Sequence, residues 1–352
     1  MVRVPHRVGA GRPPPSLRER ADYAWFDSEV LKDNVMGDPS RRLIATYLPP
    51  SGMTEGKPLL VHLSGYTGTG WAEMQGERPW QESIFQVFDR MVRTRQCPEA
   101  VVVSPDAFTA LGGSQYVNSE ATGRYADYVV QEIVPWAQER FRTSATGVIG
   151  QSSGGFGAIH LASEFPGTFS AVGSSAGDMA FEYCYLPEFP RAVRALERHG
   201  GPEKFLREFL KNPSSVPGPA DPSAPALELL AMASCYSPSP SGDGSFDLPI
   251  DLETGAPVPE VWRRWLGFDP VRRLSHPTTV RSLQRLRLLQ VTASTSDEFN
   301  LDLGARWYVR EARRRGLRIR HEEFDGGHFD RTPRFEAIFR SVTRALHRHS
   351  RR

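Results

Sequence analysis

The chain has 352 residues, with 43 Lys and Arg against 41 Asp and Glu, and 39% of its residues are hydrophobic. At this length an α/β fold can form one large domain whose core needs neither disulfides nor a metal to stabilise it. The net charge of only +2 argues against a strongly basic protein that binds nucleic acid or a membrane surface.

The first twenty residues are rich in Arg and Pro and lack the apolar run of a signal peptide. No window approaches the run of about eighteen apolar residues that a membrane-spanning helix needs. We therefore expect 1–20 to be a disordered tail and the protein to be cytoplasmic, without a membrane partner. Cys97, Cys184 and Cys235 are odd in number and widely spaced, which indicates reduced, inert thiols.

Eight apolar segments bounded by turn residues predict strands. They cover about 24–30, 41–48, 58–64, 100–104, 146–151, 168–174, 286–293 and 318–324. Amphipathic patterns between them predict helices over 80–95, 124–141, 153–165, 299–315 and 333–348. Strands that alternate with helices indicate a mostly parallel sheet covered on both faces, so the predicted fold class is α/β.

The segment 179–285 interrupts this alternation. Short helical patterns, separated by Pro-rich and Ser-rich stretches, cover 190–199, 202–211 and 226–233. We predict a helical insertion, or cap, between strands six and seven of one catalytic domain formed by 21–178 and 286–350. Two interpretations stay open: part of the insertion packs over the binding site and forms an apolar acyl pocket, or it is a surface excursion without contact to substrate.

The pattern Gly-x-Ser-x-Gly, typical of serine nucleophiles, occurs twice, around Ser152 and around Ser175. Its chemistry requires a sharp turn from a strand into a helix, which exposes the hydroxyl at the end of a sheet. Ser152 follows the predicted strand 146–151 and precedes a helical pattern rich in glycine. An aromatic stretch without a helical pattern follows Ser175. We therefore predict that Ser152 is the nucleophile and that Ser175 is a loop residue.

A serine hydroxyl needs a general base and a third group that orients the base. His328 lies in a Gly-rich loop after the last predicted strand, whereas His62 and His160 lie within predicted elements. Asp297 follows the penultimate strand, so its carboxylate can reach a histidine at the end of the last one. Glu298 is the alternative, because the sequence does not settle the register. The predicted catalytic set is Ser152, His328 and Asp297.

The chain order Ser152, Asp297, His328, after strands five, seven and eight, is that of the α/β-hydrolase fold. Within that fold the sequence resembles the esterase family that includes esterase D, S-formylglutathione hydrolases, enterochelin-type esterases and mycolyltransferases. The matching segments are 61–67, 103–106, 116–119, 150–155, 297–299 and 326–328. They span about 40–345, and they are specific for the family but not for a substrate.

The resemblance implies an oxyanion hole formed by the backbone N–H groups of Tyr66 and Ser153. It also implies that a carboxylic ester or thioester is cleaved through an acyl-enzyme intermediate, and this chemistry requires no metal and no organic cofactor. It does not imply specificity for glutathione thioesters, because the long Pro-rich insertion is not typical of those compact enzymes.

Four residues are candidate substrate contacts. Trp71, Tyr116, Asp178 and Tyr183 lie in loops at the C-terminal ends of the strands, where ligands bind open α/β sheets. The expected partner is a small-molecule ester or thioester. A homodimer is expected only by analogy with the fold.

Three other functions stay open at this stage. An alcohol acceptor in place of water would make the protein an acyltransferase on the same acyl-enzyme. A catalytically silent α/β-hydrolase could serve as a binding module, although the complete Ser, His and Asp set argues against it. Nearly all the positive charge is Arg, but the arginines are interspersed with acids. We therefore expect no nucleic-acid partner.

Overall fold

One eight-stranded sheet organises the molecule, in the order β1-β2-β4-β3-β7-β8-β9-β10. The computed structural model describes residues 14–76, 82–216 and 220–347. The strands of the sheet are β1 Ala21–Asp27, β2 Arg41–Tyr47, β3 Leu59–Leu63, β4 Val101–Ser104, β7 Thr146–Gln151, β8 Ala171–Ser175, β9 Leu288–Ser294 and β10 Ile319–Phe324. Strand β2 runs antiparallel to both neighbours, and all other adjacent pairs are parallel. The predicted mostly parallel α/β sheet is confirmed.

Some of the sequence predictions fall outside the described residues. They concern most of the tail 1–20, the start of the helix predicted over 80–95 and the last residues of the catalytic segment 286–350. The described end of the tail contains a short 3-10 helix, Pro15–Leu17, whose Leu17 is buried.

Helices cover both faces of the sheet. They are α1 Gly70–Gln75, α2 Ile84–Arg93, α3 Tyr125–Asp127, α4 Val134–Phe141, α5 Ser153–Glu164, α13 Leu301–Arg314 and α14 Thr332–His347. Helices α2 and α14 pack together on one face, where aromatic side chains such as Phe88 and Phe339 meet. Helices α4, α5 and α13 cover the other face. The central strands β3 and β7 are buried throughout, which explains their continuous apolar sequence.

The first strand lies three residues earlier than the sequence predicts. The segment after Asp27 leaves the sheet because the Glu132 carboxylate and the Ser28 hydroxyl accept its backbone N–H groups and hold it in a turn. The Glu132 carboxylate accepts the N–H groups of Glu29 and Val30 at 2.8 and 3.1 Å. The Ser28 hydroxyl accepts the N–H of Leu31 at 3.0 Å. These contacts come from residues that are distant in sequence, so local alternation could not predict them.

The helix predicted over 124–141 is broken into three parts. A π-helical segment, Tyr128–Ile133, separates α3 from α4. Pro135 lies at the start of α4 and has no N–H to donate to the preceding turn, which favours the wider π-helical spacing there. The sequence also failed to predict a short hairpin directly before α3. Its two strands, β5 Asn118–Ser119 and β6 Gly123–Arg124, have two residues each.

Seven α-helices lie between β8 and β9 in the residues that the structure describes there, 176–216 and 220–287. They are α6 Phe181–Cys184, α7 Phe189–His199, α8 Pro202–Lys211, α9 Ala224–Tyr236, α10 Pro259–Leu266, α11 Pro270–Arg273 and α12 Pro277–Gln284. Several begin at a proline, whose missing N–H costs nothing at the first position of a helix. Aromatic rings of this segment form a buried cluster that includes Phe181, Tyr185, Tyr236 and Trp265, and Phe156 of α5 joins it. The helical segment therefore packs directly on the helix that follows Ser152.

Candidate active site

Ser152 lies at a strained turn between β7 and α5. Its backbone angles are φ 55° and ψ −127°, a region that residues other than glycine rarely adopt. The Ser152 N–H donates to the Ser175 carbonyl at 3.0 Å. A Cβ atom at Gly154 would lie 2.0 Å from the Leu63 carbonyl oxygen, so only glycine lets α5 begin this close to β3. The close contact of these backbones holds the turn that exposes the Ser152 hydroxyl.

His328 and Asp297 meet at the neighbouring edge of the sheet. Asp297 follows β9, and His328 lies in the loop between β10 and α14. The His328 Nδ1 atom is 2.9 Å from Asp297 Oδ2, and both side chains are buried. The other carboxylate oxygen of Asp297 accepts the N–H of Phe299 at 3.0 Å. The ring edge of Phe299 also packs against the imidazole, with centroids 4.9 Å apart.

Glu298 contacts the backbone of His328 and not its ring. Its Oε2 atom accepts the His328 N–H at 2.6 Å. A Cβ atom at Gly327 would lie 2.5 Å from Glu298 Oε1, so this glycine makes room for the carboxylate. Of the two acids that the sequence left open, Asp297 is therefore the one that touches the imidazole.

The loop after β3 passes directly beside Ser152. A Cβ atom at Gly65 would lie 3.5 Å from the Ser152 Cβ. Two backbone hydrogen bonds hold the loop in place. The Thr67 N–H donates to the Gly112 carbonyl at 3.0 Å, and the Gly68 N–H donates to the Gly65 carbonyl at 2.9 Å. In the described part of the chain, the N–H groups of Tyr66 and Ser153 donate to no protein acceptor. Both residues line the same cleft as Ser152.

This cleft has a volume of about 480 Å³ and contains Ser152 and His328. Its walls come from the loop after β3, the start of α5, the loop after β8, the helical insertion and the histidine loop 326–331. The insertion contributes a wall with both apolar and charged residues, namely Cys184, Tyr185, Glu188, Arg191, Val216, Ala224, Pro225, Leu227 and Glu228. The histidine side of the cleft contributes the aromatic rings of Phe299 and Phe329.

Of the four predicted substrate contacts, Asp178 alone lines this cleft. Trp71 belongs to α1, not to a loop, and packs against the core cluster that contains side chains of α2 and α14. Tyr116 is buried, its hydroxyl donates to the Ser64 carbonyl at 2.8 Å and its ring packs against Gly157. Tyr183 is 40% exposed and lies against Trp307. The aromatic residues that do line the cleft are Tyr66, Tyr185, Phe299 and Phe329.

Asp178 accepts three hydrogen bonds inside the protein. The donors are the Tyr185 hydroxyl at 2.9 Å, the Ser153 hydroxyl at 3.4 Å and the Gln115 amide at 3.5 Å. Burial raises the pKa of Asp178 to about 6, although these donors and the charge of His328 act in the opposite direction. The sequence did not indicate that Tyr185 and Gln115 donate to Asp178, because these side-chain contacts depend on the folded structure.

Replacing Asp178 by Asn should stabilise the folded protein more at pH 7 than at pH 4. Because the folded-state pKa of Asp178 is raised above its unfolded value, ionisation of this carboxyl destabilises the fold as the pH rises from about 4 to about 6. Asp178→Asn has no carboxyl to ionise, so it should avoid a loss of up to about 3 kcal/mol in the free energy of unfolding at pH 7. Urea unfolding of both proteins at the two pH values measures the difference. The exposed Asp325→Asn is the matched control, and equal effects of Asp178→Asn at both pH values would contradict the prediction.

Glu228 is a second acidic residue of the cleft that sequence reasoning missed. It lies in α9, whose other residues are almost all apolar and buried. Burial raises the pKa of Glu228 to about 8, and the charges of Asp178 and Glu188 act in the same direction. The available signal was a single glutamate within the apolar segment 224–236, which indicates a polar group turned toward a cavity.

Glu73 and Arg331 connect two loops of the site. Glu73 of α1 is buried, 3.5 Å from His62 Nε2 and 3.9 Å from the Arg331 guanidinium. Arg331 lies three residues after His328, and both Glu73 and Arg331 line the cleft. These contacts connect the loop after β3 to the histidine loop.

A family model described as "Putative esterase" matches residues 37–330 of the chain. The chain belongs to this esterase family. Its members are carboxylic ester hydrolases, so the protein is an esterase of the α/β-hydrolase type, as the sequence motifs predicted. A search of curated proteins finds no match to the chain.

Solved structures share the fold of this esterase at low sequence identity. A ferulic acid esterase matches with a TM-score of 0.58 and 16% identity, over 93% of this chain and 98% of its own. The S-formylglutathione hydrolase from Agrobacterium tumefaciens matches with a TM-score of 0.53 and 18% identity, over 93% and 95%. The fluorophosphonate-binding serine hydrolase F from Staphylococcus aureus matches with a TM-score of 0.52 and 15% identity, over 93% and 98%.

Among residues 14–76, 82–216 and 220–347, no three His, Cys, Asp or Glu side chains are grouped so that they could hold a metal ion. In the same ranges, every helix is too short or too polar to cross a membrane.

Proposed function

We propose that this esterase cleaves a carboxylic ester or thioester by a Ser-His-Asp mechanism, with Ser152 as nucleophile, His328 as general base and Asp297 as the residue that orients the base. One observation supports the proposal above all others. Ser152, at a strained strand-to-helix turn, shares one cleft with an imidazole whose Nδ1 atom contacts the Asp297 carboxylate at 2.9 Å.

The Asp297 contact determines which ring nitrogen acts as the base. An ionised carboxylate only accepts hydrogen bonds, so the neutral imidazole carries its proton on Nδ1 and its lone pair on Nε2. His328 Nε2 takes the proton as the Ser152 oxygen attacks the carbonyl carbon of the substrate. Asp297 then stabilises the imidazolium that forms.

The attack places negative charge on the former carbonyl oxygen of the substrate. The N–H groups of Tyr66 and Ser153 are the proposed donors to this oxyanion, and neither donates to a protein acceptor in the described residues. Ser153 is the first residue of α5, where the helix dipole also favours negative charge. Each preorganised donor of this kind stabilises the transition state by about 3 kcal/mol.

The second half of the cycle uses the same groups. The imidazolium of His328 gives its proton to the leaving alcohol or thiol, which departs and leaves an acyl group on Ser152. His328 then takes a proton from a water molecule that attacks the acyl-enzyme. The carboxylic acid is released and Ser152 regains its hydrogen.

The cleft supports a substrate with both apolar and polar parts. Val216, Pro225 and Leu227 offer apolar surface, and the charged residues Asp178, Glu228 and Arg191 line the same cleft. Its volume of about 480 Å³ is within the usual range for small-molecule sites. Feruloyl esters and S-formylglutathione are the first natural substrates to test, because structures with those activities in their names share the fold.

A panel of activated esters and thioesters tests the proposal. We expect measurable hydrolysis of p-nitrophenyl esters, with a preference among acyl lengths, and covalent labelling of the protein by a fluorophosphonate. Addition of an alcohol distinguishes a hydrolase from an acyltransferase, since only the second forms a new ester as the main product. A folded wild-type protein that neither hydrolyses any member of the panel nor reacts with the fluorophosphonate would refute the proposal.

A further inference from the structure

Arg334 is a fully buried arginine next to the histidine loop. It lies in the first turn of α14, and its side chain is 0% exposed. One guanidinium nitrogen donates to the backbone carbonyl of His328, and the Gln151 amide donates to the same carbonyl at 3.0 Å. The other two guanidinium nitrogens contact no acceptor in the described part of the chain. A buried guanidinium with so few partners is costly, which argues against a purely structural role.

The contacts hold the main chain of His328 on both sides. Glu298 accepts its N–H at 2.6 Å, while Arg334 and Gln151 donate to its carbonyl. Gln151 directly precedes the nucleophile Ser152. The imidazole is therefore held in position relative to Ser152 by its backbone as well as by the contact between its ring and Asp297.

The guanidinium of Arg334 lies among several charged side chains of the site. Burial lowers the pKa of Arg334 to about 10, so the side chain is still cationic at neutral pH. The negative charges of Asp297, Asp330 and Glu298 favour the charged guanidinium, and Arg331 opposes it. From the loop after β8, Asp178 adds a further carboxylate that interacts with His328.

We propose that Arg334 is a positioning residue of the catalytic site, which fixes the His328 backbone and offsets the negative charge of Asp297, Glu298 and Asp330. The inference rests on the proposed function, because it concerns how His328 acts as a base. Carboxylates near an imidazole favour the imidazolium, which has no lone pair for the Ser152 proton. A buried cation beside the same carboxylates opposes this effect and so favours an imidazole that can accept the Ser152 proton.

Three variants test the role of Arg334. Arg334→Met removes the charge and the donor, Arg334→Lys keeps the charge, and the exposed Arg344→Met is a matched control on the same helix. For a p-nitrophenyl ester we expect Arg334→Met to lower kcat about 10- to 100-fold with little change in KM. In the pH profile of kcat/KM, the acidic limb should move to higher pH by about half a unit or more. Arg334→Lys should return this limb to near its wild-type position, and Arg344→Met should match wild type.

A second readout does not depend on activity. In the Ser152→Ala background, an NMR titration of the His328 imidazole should give a higher pKa with Arg334→Met than without it. An unshifted imidazole pKa in a folded Arg334→Met protein would overturn the inference, whether or not any ester is hydrolysed. A folded wild type that neither hydrolyses any ester of the panel nor reacts with a fluorophosphonate would instead refute the proposed function. If Arg334→Met does not fold, Arg334→Gln takes its place, because Gln can still donate to the His328 carbonyl.

Discussion

Replacement of Ser152 by Ala should lower kcat/KM for an activated ester by about 10⁴- to 10⁶-fold and abolish fluorophosphonate labelling. The variant lacks the Ser152 oxygen, the only atom of the protein proposed to form a bond with the acyl carbon. The residual rate would come from substrate binding and the oxyanion donors, which remain. Alanine keeps the same Cβ, so the strained backbone at φ 55° is no more costly, and the free energy of unfolding should change by less than about 1 kcal/mol.

The second Gly-x-Ser-x-Gly motif provides a matched control. Ser175 lies at the end of β8, is fully buried, and its hydroxyl has no partner among the described residues. Its carbonyl, which accepts the Ser152 N–H, is part of the main chain and survives substitution. Ser175→Ala should therefore keep activity within about threefold of wild type. Retained labelling of Ser152→Ala, or its loss in a folded Ser175→Ala protein, would contradict the assignment of the nucleophile.

The sequence predicted those parts of the fold whose pattern is local. Strands β3 and β7 are continuous apolar segments because both faces of the sheet are covered, and this pattern is recognisable without tertiary information. The Ser152 turn was predictable for a related reason. Glycines on its helical side are required where α5 meets β3, as the Gly154 contact demonstrates.

Features that depend on distant contacts were not predictable. The end of β1 is set by Glu132, about a hundred residues later, which draws the N–H groups of Glu29 and Val30 out of the sheet. Tyr116 follows a strand, as a substrate contact should, but the missing side chain at Gly157 lets its ring pack inward. The sequence predicts that such a residue lies in a loop, but whether its side chain faces the cleft or the core depends on tertiary contacts.

The same limit explains why only one of the acidic residues Asp178 and Glu228 was a candidate from the sequence. Asp178 was a candidate because it follows β8, at the edge of the sheet where ligands bind. Glu228 was not, because the sequence of α9 is typical of a buried helix and does not show that Glu228 lines the same cleft as Asp178. The choice between Asp297 and Glu298 was likewise open, since the two acids are adjacent in sequence but contact different parts of His328, the ring and the backbone N–H.

Replacement of Asp297 by Asn should lower kcat by about 10³- to 10⁴-fold with little change in KM. An amide at this position can donate a hydrogen bond to Nδ1, which favours the imidazole tautomer that carries its proton on Nε2. That tautomer cannot accept the proton of Ser152. The amide is also uncharged, so the imidazolium that forms in the transition state loses its nearest stabilising charge. Steady-state kinetics and burst amplitudes with a p-nitrophenyl ester separate this effect from a loss of substrate binding.

Glu298→Gln is the matched variant, because it makes the same chemical change one residue later. The amide oxygen of Gln can still accept the His328 N–H that Glu298 accepts at 2.6 Å, so the loop should keep its position. Charge-assisted hydrogen bonds are about twice as strong as neutral ones, and the expected loss in kcat is therefore no more than about tenfold. If Glu298→Gln lowered kcat more than Asp297→Asn in folded proteins, the carboxylate that serves His328 would be Glu298. Because Asp297, and not Glu298, contacts the ring, we expect the two variants to differ by about a hundredfold or more.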